Sequence, residues 1–114
     1  MEMTEEAVGE VTVVAVAGRL DTESARQFGE QLSTLIRAGR SQLLIEASNL
    51  SYTGSMGLRA LLIAANLVAE AKGRLALCGL TEPVRRVMEL GGFGNVFERY
   101  QSREEALAKL RAGT

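Results

Sequence analysis

Short runs of strand character that alternate with segments of helical periodicity are the feature that most restricts the fold of this chain. Three runs are rich in β-branched or aliphatic residues and are followed by glycine or polar residues: Val11–Ala17, Gln42–Ala47 and Arg74–Cys78. Apolar residues recur at helical spacing in two segments between them: Ala25–Ile36 and Met56–Lys72. This alternation predicts an α/β fold with a largely parallel sheet.

The remaining segments add weaker elements at both ends of the chain. Met1–Glu6 is a candidate edge strand that turns back through Ala7–Gly9, and Val96–Arg99 is a candidate short strand. A short helix with Pro83 in its first turn is expected after Thr81, since proline is tolerated there. Its predicted apolar face consists of Val84, Val87, Met88 and Leu90. Ser102 and Glu105 form a capping-box pattern before a last amphipathic helix.

Charge and residue content exclude several classes of function. The 114 residues carry 13 basic and 14 acidic side chains, a net charge of −1, whereas nucleic-acid binders of this size usually carry a basic excess. The chain has no histidine, and its one cysteine, Cys78, is expected in the core. A zinc site, a histidine-dependent catalytic triad and an internal disulfide are therefore not expected, and no cofactor is predicted.

Nothing in the sequence predicts insertion into a membrane. Met1–Glu6 is acidic and lacks the apolar core of a signal peptide. The longest apolar stretch is interrupted by Asn66 and Glu70 and is too short to cross a bilayer. We therefore expect a cytoplasmic protein whose residues 1–114 form one domain.

Three loops are expected at the carboxyl ends of the strands, where sites form in open parallel sheets: Gly18–Ser24, Ser48–Ser55 and Gly79–Pro83. Within the second loop, Gly54 and Gly57 bracket Ser55 at the start of the long helix. The positive end of the helix dipole stabilises an anion there by about 0.3–1 kcal/mol. The spacing alone favours a plain helix cap over a regulatory site. A hydrolase is not expected, because Gly54–Gly57 lacks the G-x-S-x-G pattern and no histidine can act as base.

Four segments in register resemble the STAS domain family, which includes the bacterial anti-sigma-factor antagonists. Leu43–Leu58 resembles the central motif of the family, and Gly18–Asp21 resembles its Gly-x-Leu-Asp string. Leu75–Leu80 with Glu82–Val84 is similar to the third strand and the turn after it, and Val87–Phe93 to the helix that ends in Leu-x-Gly-Leu/Phe. The resemblance covers about residues 8 to 110. It implies a mixed, mostly parallel sheet of four to five strands with about four helices, packed mainly on one face.

The resemblance also implies a regulatory function. In this family an anti-sigma factor that is also a serine kinase phosphorylates a serine at the start of the second helix, and Ser55 matches that serine. The unphosphorylated protein binds the anti-sigma factor, the phosphorylated form releases it, and a PP2C-type phosphatase resets the switch. Asp21 matches the acid of the neighbouring loop. The expected partner-binding residues are Asp21, Gly54, Ser55, Met56 and Arg59.

Two departures from the family motif keep alternatives open. The aspartate before the serine is Gly54 here, and the serine or alanine after it is Met56. The alternative is a STAS subunit that is never phosphorylated, in a stress-signalling scaffold or a lipid ABC transporter. Asp21 can act as a helix N-cap alone, and Arg59 can be simply solvated. An enzyme is not expected, because one aspartate and no histidine provide little acid–base chemistry.

Overall fold

A five-stranded sheet with four helices is formed by residues 1–111, the part of the chain that the computed structural model describes. The elements follow one another as β1 (Glu2–Val8), β2 (Val11–Leu20), α1 (Thr22–Arg37), β3 (Gln42–Thr53), α2 (Ser55–Glu70), β4 (Arg74–Cys78), α3 (Glu82–Leu90), β5 (Glu98–Tyr100) and α4 (Arg103–Arg111). The predicted α/β class and the mixed, mostly parallel sheet are confirmed.

Strand order in the sheet follows chain order. β1 pairs with β2 in antiparallel register, while β2 with β3, β3 with β4 and β4 with β5 are all parallel. The three parallel pairings bring the carboxyl ends of β2, β3, β4 and β5 to the same edge of the sheet. The turns that begin α1, α2 and α3 therefore lie side by side at that edge.

The helices cover the two faces of the sheet unequally. α1, α2 and α3 pack on one face, where Phe28, Leu58 and Met88 are almost completely buried against strand residues such as Val14 and Leu77. α4 alone covers the other face, with a smaller core made of Val11, Val13, Leu44, Ala76, Cys78, Ala106 and Leu110. Apolar residues on alternate sides of β2 and β3 explain why both faces must be covered.

β3 is longer than the sequence predicts. The segment after Ala47 was expected to be a turn, yet the strand continues to Thr53 with Leu50 and Thr53 buried. β3 has one extra residue at each of two places where its register with β2 shifts. Polar side chains form hydrogen bonds with the backbone at both of these bulges. At the first, the Glu46 carboxylate accepts the Ser48 N–H at 2.8 Å, and at the second the Ser51 hydroxyl donates to the Gly18 carbonyl at 2.9 Å.

Three smaller expectations also need correction. Leu90 was placed on the apolar face of α3, but its side chain is 82 % exposed. The last strand is Glu98–Tyr100 rather than Val96–Arg99, and Val96 is half exposed before it. β1 runs to Val8, and the tight turn is at Gly9, whose φ of 62° suits glycine.

Burial under α4 should make Cys78 a source of alkaline instability. Desolvation first, and the nearby Glu46 carboxylate second, raise the pKa of the Cys78 thiol from 9.0 to about 11. Between these two values the unfolded thiol has lost its proton and the folded thiol has kept it, so stability falls as pH rises. The free energy of unfolding of the wild type and of Cys78→Ala can be measured in urea at pH 7 and pH 10. Between these two pH values the wild type should lose more stability than the variant does. An unchanged difference would contradict the expectation.

Candidate functional site

The first turns of α1 and α2 meet at the carboxyl ends of β2 and β3. Leu20 is opposite Thr53 in the parallel ladder, and the Gly54 N–H donates to the Leu20 carbonyl at 3.0 Å. Asp21 and Ser55 directly follow these linked positions. The structure thus brings two sequence-predicted residues, far apart in the chain, to one edge of the sheet.

Ser55 is the first residue of α2, and its side chain is exposed. The N-cap position belongs to Gly54, so no side chain caps the helix and no acidic residue lies in its first turn. The cap role that the spacing favoured for Ser55 is therefore wrong. The Gly57 N–H already donates to the Gly54 carbonyl at 3.2 Å, whereas the N–H groups of Ser55 and Met56 precede the first intrahelical hydrogen bond and lie at the positive end of the helix dipole. A group attached to the Ser55 oxygen extends toward solvent without entering the core.

Gly57 allows α2 to approach the sheet closely. A Cβ atom at Gly57 would lie 2.1 Å from Thr53 Oγ1 and 3.1 Å from Leu20 Cβ. Thr53 is itself buried, and its hydroxyl donates to the Gly54 carbonyl at 3.0 Å. The first turn of α2 is thus fixed directly against the ends of β2 and β3, which sets the position of Ser55.

Asp21 is the N-cap of α1 and is exposed. Its carboxylate accepts the Ser24 N–H at 3.0 Å, while its own N–H donates to the Ser24 hydroxyl at 2.9 Å. The Ser24 N–H, followed by the Ser24 hydroxyl, lowers the pKa of the Asp21 carboxyl below its usual 3.8. This reciprocal pair fixes a negative charge at the edge of the sheet beside the start of α2.

The stabilisation by Asp21 should disappear in acid. A lowered pKa means that the folded state stabilises the ionised form of the Asp21 carboxyl more than the unfolded state does. The contribution is therefore complete well above pH 3.8 and is lost as pH falls through the lower folded value. Asn caps helices comparably but does not titrate, so Asp21→Asn is the matched variant. We expect wild type to melt at a higher temperature than this variant at pH 7 and the gap to shrink progressively as pH is lowered below 3.8. A gap of constant size would argue against the assignment.

Of the three remaining predicted partner-binding residues, Met56 and Arg59 face solvent on α2. The Met56 side chain is 44 % exposed, and Arg59 lies one turn further along in an exposed position. Ile63, at 48 % exposure, continues the same face but was not singled out from the sequence. The spacing of seven residues between Met56 and Ile63 could have identified Ile63 from the sequence, since residues at this spacing share one helix face. Gly54 is only partly exposed, so it shapes the backbone more than it offers contact area.

Arg19 and Tyr52 form a contact at the site that the sequence analysis missed. The Arg19 guanidinium lies over the Tyr52 ring, 4.3 Å from its centroid. Their positions are opposite each other in the β2–β3 ladder, and such cation–π pairs contribute about 0.5–1 kcal/mol at exposed sites. The Tyr52 hydroxyl lies 3.3 Å from where a Cβ of Gly54 would stand. This pair therefore borders the loop that precedes Ser55.

Residues 1–111 contain no group of three or more His, Cys, Asp or Glu side chains placed to hold a metal ion. Over the same residues, no helix combines the length and apolar character needed to cross a membrane.

Comparison with known proteins gives consistent results along nearly the whole chain. The model of the STAS domain family matches residues 2–106. A Bordetella bronchiseptica protein named "Putative anti-sigma factor antagonist BtrV" is 29 % identical over 111 residues, which cover 97 % of this chain and 96 % of that protein. The anti-sigma F factor antagonist of Paenibacillus polymyxa is 25 % identical over 101 residues, covering 88 % and 86 % of the two chains.

Solved structures share the fold. The unphosphorylated form of the anti-sigma factor antagonist SpoIIAA superposes with a TM-score of 0.84 at 24 % identity, covering 99 % of both chains. The phosphorylated form of SpoIIAA, described as a Bacillus cell fate determinant, gives a TM-score of 0.75 at 25 % identity, covering 96 % of this chain and 100 % of the other. The same architecture is therefore known in a protein that exists in both states.

Proposed function

The chain belongs to the STAS domain family, and on this premise we propose that it is an anti-sigma-factor antagonist switched off by phosphorylation of Ser55. In this proposal the unphosphorylated chain binds an anti-sigma factor that is also a serine kinase. The contact is made by Asp21, Gly54, Ser55, Met56 and Arg59. A PP2C-type phosphatase returns the chain to its binding form. The chain acts by binding rather than by catalysis, as its relatives' names also suggest.

The observation that carries the proposal is the exposed Ser55 hydroxyl at an uncapped helix N-terminus. A kinase needs an accessible hydroxyl, and a phosphate needs hydrogen-bond donors once it is attached. The N–H groups of Ser55 and Met56, which precede the first intrahelical hydrogen bond, and the helix dipole stabilise the new negative charge. Phosphorylation therefore leaves the fold intact, and its effect falls on the surface that the partner contacts.

The effect on binding follows from charge and bulk. Phosphorylation adds about 1.5 to 2 negative charges at neutral pH. Asp21 already holds one negative charge at the same edge, and its hydrogen bonds to Ser24 keep it ionised. A partner surface that fits a small neutral serine beside this carboxylate would face a larger and strongly anionic patch after modification. Loss of affinity is the expected result.

Intact-mass spectrometry of the protein recovered from its native cells, with and without phosphatase treatment, tests the proposal. We expect a phosphate adduct that phosphatase removes and that peptide mapping assigns to Ser55. The adduct should vanish in Ser55→Ala cells. Absence of the adduct under several growth and stress conditions would contradict the switch.

Gly54 favours one second candidate, a STAS subunit that binds its partner constitutively. The family has aspartate at this position, and glycine brings neither a capping oxygen nor a charge to the start of α2. In this alternative the partner complex persists under all conditions and Ser55 carries no phosphate. The same mass measurement, combined with recovery of the complex, separates the two candidates.

A further inference from the structure

A groove between α1 and α2 continues from the Ser55 site along the surface of the molecule. It has a volume of about 580 Å³, and its lining includes Gly29, Arg37, Met56, Arg59, Ala60 and Ile63. Met56 and Ile63 are seven residues apart, which corresponds to about 10 Å along the helix axis. On α2 the groove therefore extends about one helical turn beyond Arg59, the last residue that the sequence predicts to contact a partner.

Apolar side chains are available to a ligand in this groove. Met56 and Ile63 are 44 % and 48 % exposed, and they belong to the few large hydrophobic residues with such exposure in the described chain. Small residues form the floor between the helices, because a Cβ at Gly29 would lie 3.4 Å from Ala60 Cβ. The close approach of α1 and α2 at this point leaves the two larger side chains standing beside a shallow depression.

The charges around the groove are unbalanced. Arg26 is neutralised within α1 by Glu23 and by Glu30, the latter at 3.0 Å. Arg37 and Arg59 take part in none of the ion pairs formed among residues 1–111. The apolar depression is therefore bordered by two arginines that form no ion pair with any carboxylate of residues 1–111.

We propose that this groove receives an amphipathic helix of the anti-sigma factor, with apolar residues on one face and acidic residues beside them. Apolar anchors of such a helix at i, i+3, i+4 and i+7 would match Met56 and Ile63, and acidic flanks would match Arg37 and Arg59. Charge complementarity of this kind orients a partner and speeds its association. The inference rests on the proposed function, since it extends the contact surface that includes Ser55.

Titration calorimetry with the purified anti-sigma factor of the source bacterium tests the groove through a matched pair of variants. Ile63→Glu introduces an acid into the groove, and Leu90→Glu makes the same type of change at an apolar position on α3 that is 82 % exposed. We expect Ile63→Glu to weaken binding about tenfold or more and Leu90→Glu to leave it unchanged. Arg37→Glu, which lies away from Ser55 along the groove, should also weaken binding and flatten its dependence on salt.

The outcomes separate the groove from the proposed function. Wild-type affinity in both Ile63→Glu and Arg37→Glu would overturn the groove while leaving the function intact. Failure of the wild type itself to bind the anti-sigma factor would overturn both. A wild-type dimer in light scattering that Ile63→Glu dissociates would assign the groove to a second copy of this chain instead.

Discussion

Ser55→Asp should bind the anti-sigma factor about a hundredfold more weakly than the wild type, whereas Ser55→Ala should bind within a few fold of it. Ser55 is exposed at the start of α2, so neither change creates a cavity or buries a charge. Aspartate places a carboxylate at the edge that Asp21 already makes negative, and this repulsion acts on the contact itself. A hundredfold loss corresponds to about 2.7 kcal/mol of binding free energy.

The matched control is Ser102→Asp. Ser102 is an exposed serine that caps α4, with its hydroxyl oxygen accepting the Glu105 N–H at 3.1 Å, and aspartate is an equally good capping residue. This variant adds the same charge to a helix start outside the proposed contact, so its affinity should equal that of the wild type. Calorimetric titration of Ser55→Asp, Ser55→Ala and Ser102→Asp with the anti-sigma factor measures the three affinities. Equal affinity of Ser55→Asp and wild type would refute a phosphorylation switch that acts through charge.

Gly57→Ala should cost about 2–3 kcal/mol of the free energy of unfolding, a large effect for the addition of one methyl group. The new Cβ would stand 2.1 Å from Thr53 Oγ1, far inside contact distance, and Leu20 blocks the other side at 3.1 Å. Overpacking of this kind typically costs about 1–3 kcal/mol, and Thr53 and Leu20 are both almost completely buried. Urea unfolding measures the loss directly.

Two further variants show whether the loss comes from this contact. Gly29→Ala makes the same change inside α1, where the added Cβ would lie 3.4 Å from Ala60 Cβ, an ordinary contact distance. Because alanine has a better helix propensity than glycine, Gly29→Ala should leave the free energy of unfolding unchanged or raise it by up to about 1 kcal/mol. In the double variant Thr53→Ala with Gly57→Ala, the clashing oxygen is absent, so the combined loss should be smaller than the sum of the single losses. Additive losses would show that the strain arises elsewhere.

The sequence was sufficient for the parts of the fold that repeat a simple pattern. Aliphatic and β-branched runs located β2 and β4, and the apolar stripe from Ala25 to Ile36 located α1 with its cap at Asp21. The motif around Ser55 located the start of α2 to within a residue. In these places the local pattern and the tertiary packing favour the same structure, so local reasoning succeeds.

The remaining errors arise where the partner of a segment decides its structure. The second half of β3 is rich in polar residues typical of turns, yet Gly18 and Leu20 of β2 pair with it and extend the strand. Leu90 has the helical spacing of a core residue, but it is 82 % exposed although Met88, two residues before it, is fully buried. The groove next to Ile63 depends on how closely α1 approaches α2, a distance that neither helix sequence contains.

Because each strand of the sheet pairs only with its neighbours in the chain, the order of synthesis is also a feasible order of assembly. Every new strand emerging from the ribosome finds the free edge of its predecessor already present, and no pairing has to wait for a distant segment. The face that carries Leu44 and Ala76 is different, since its cover arrives only with α4. Until α4 has left the exit tunnel, the nascent chain displays this apolar face, which is then open to aggregation or to binding by a chaperone.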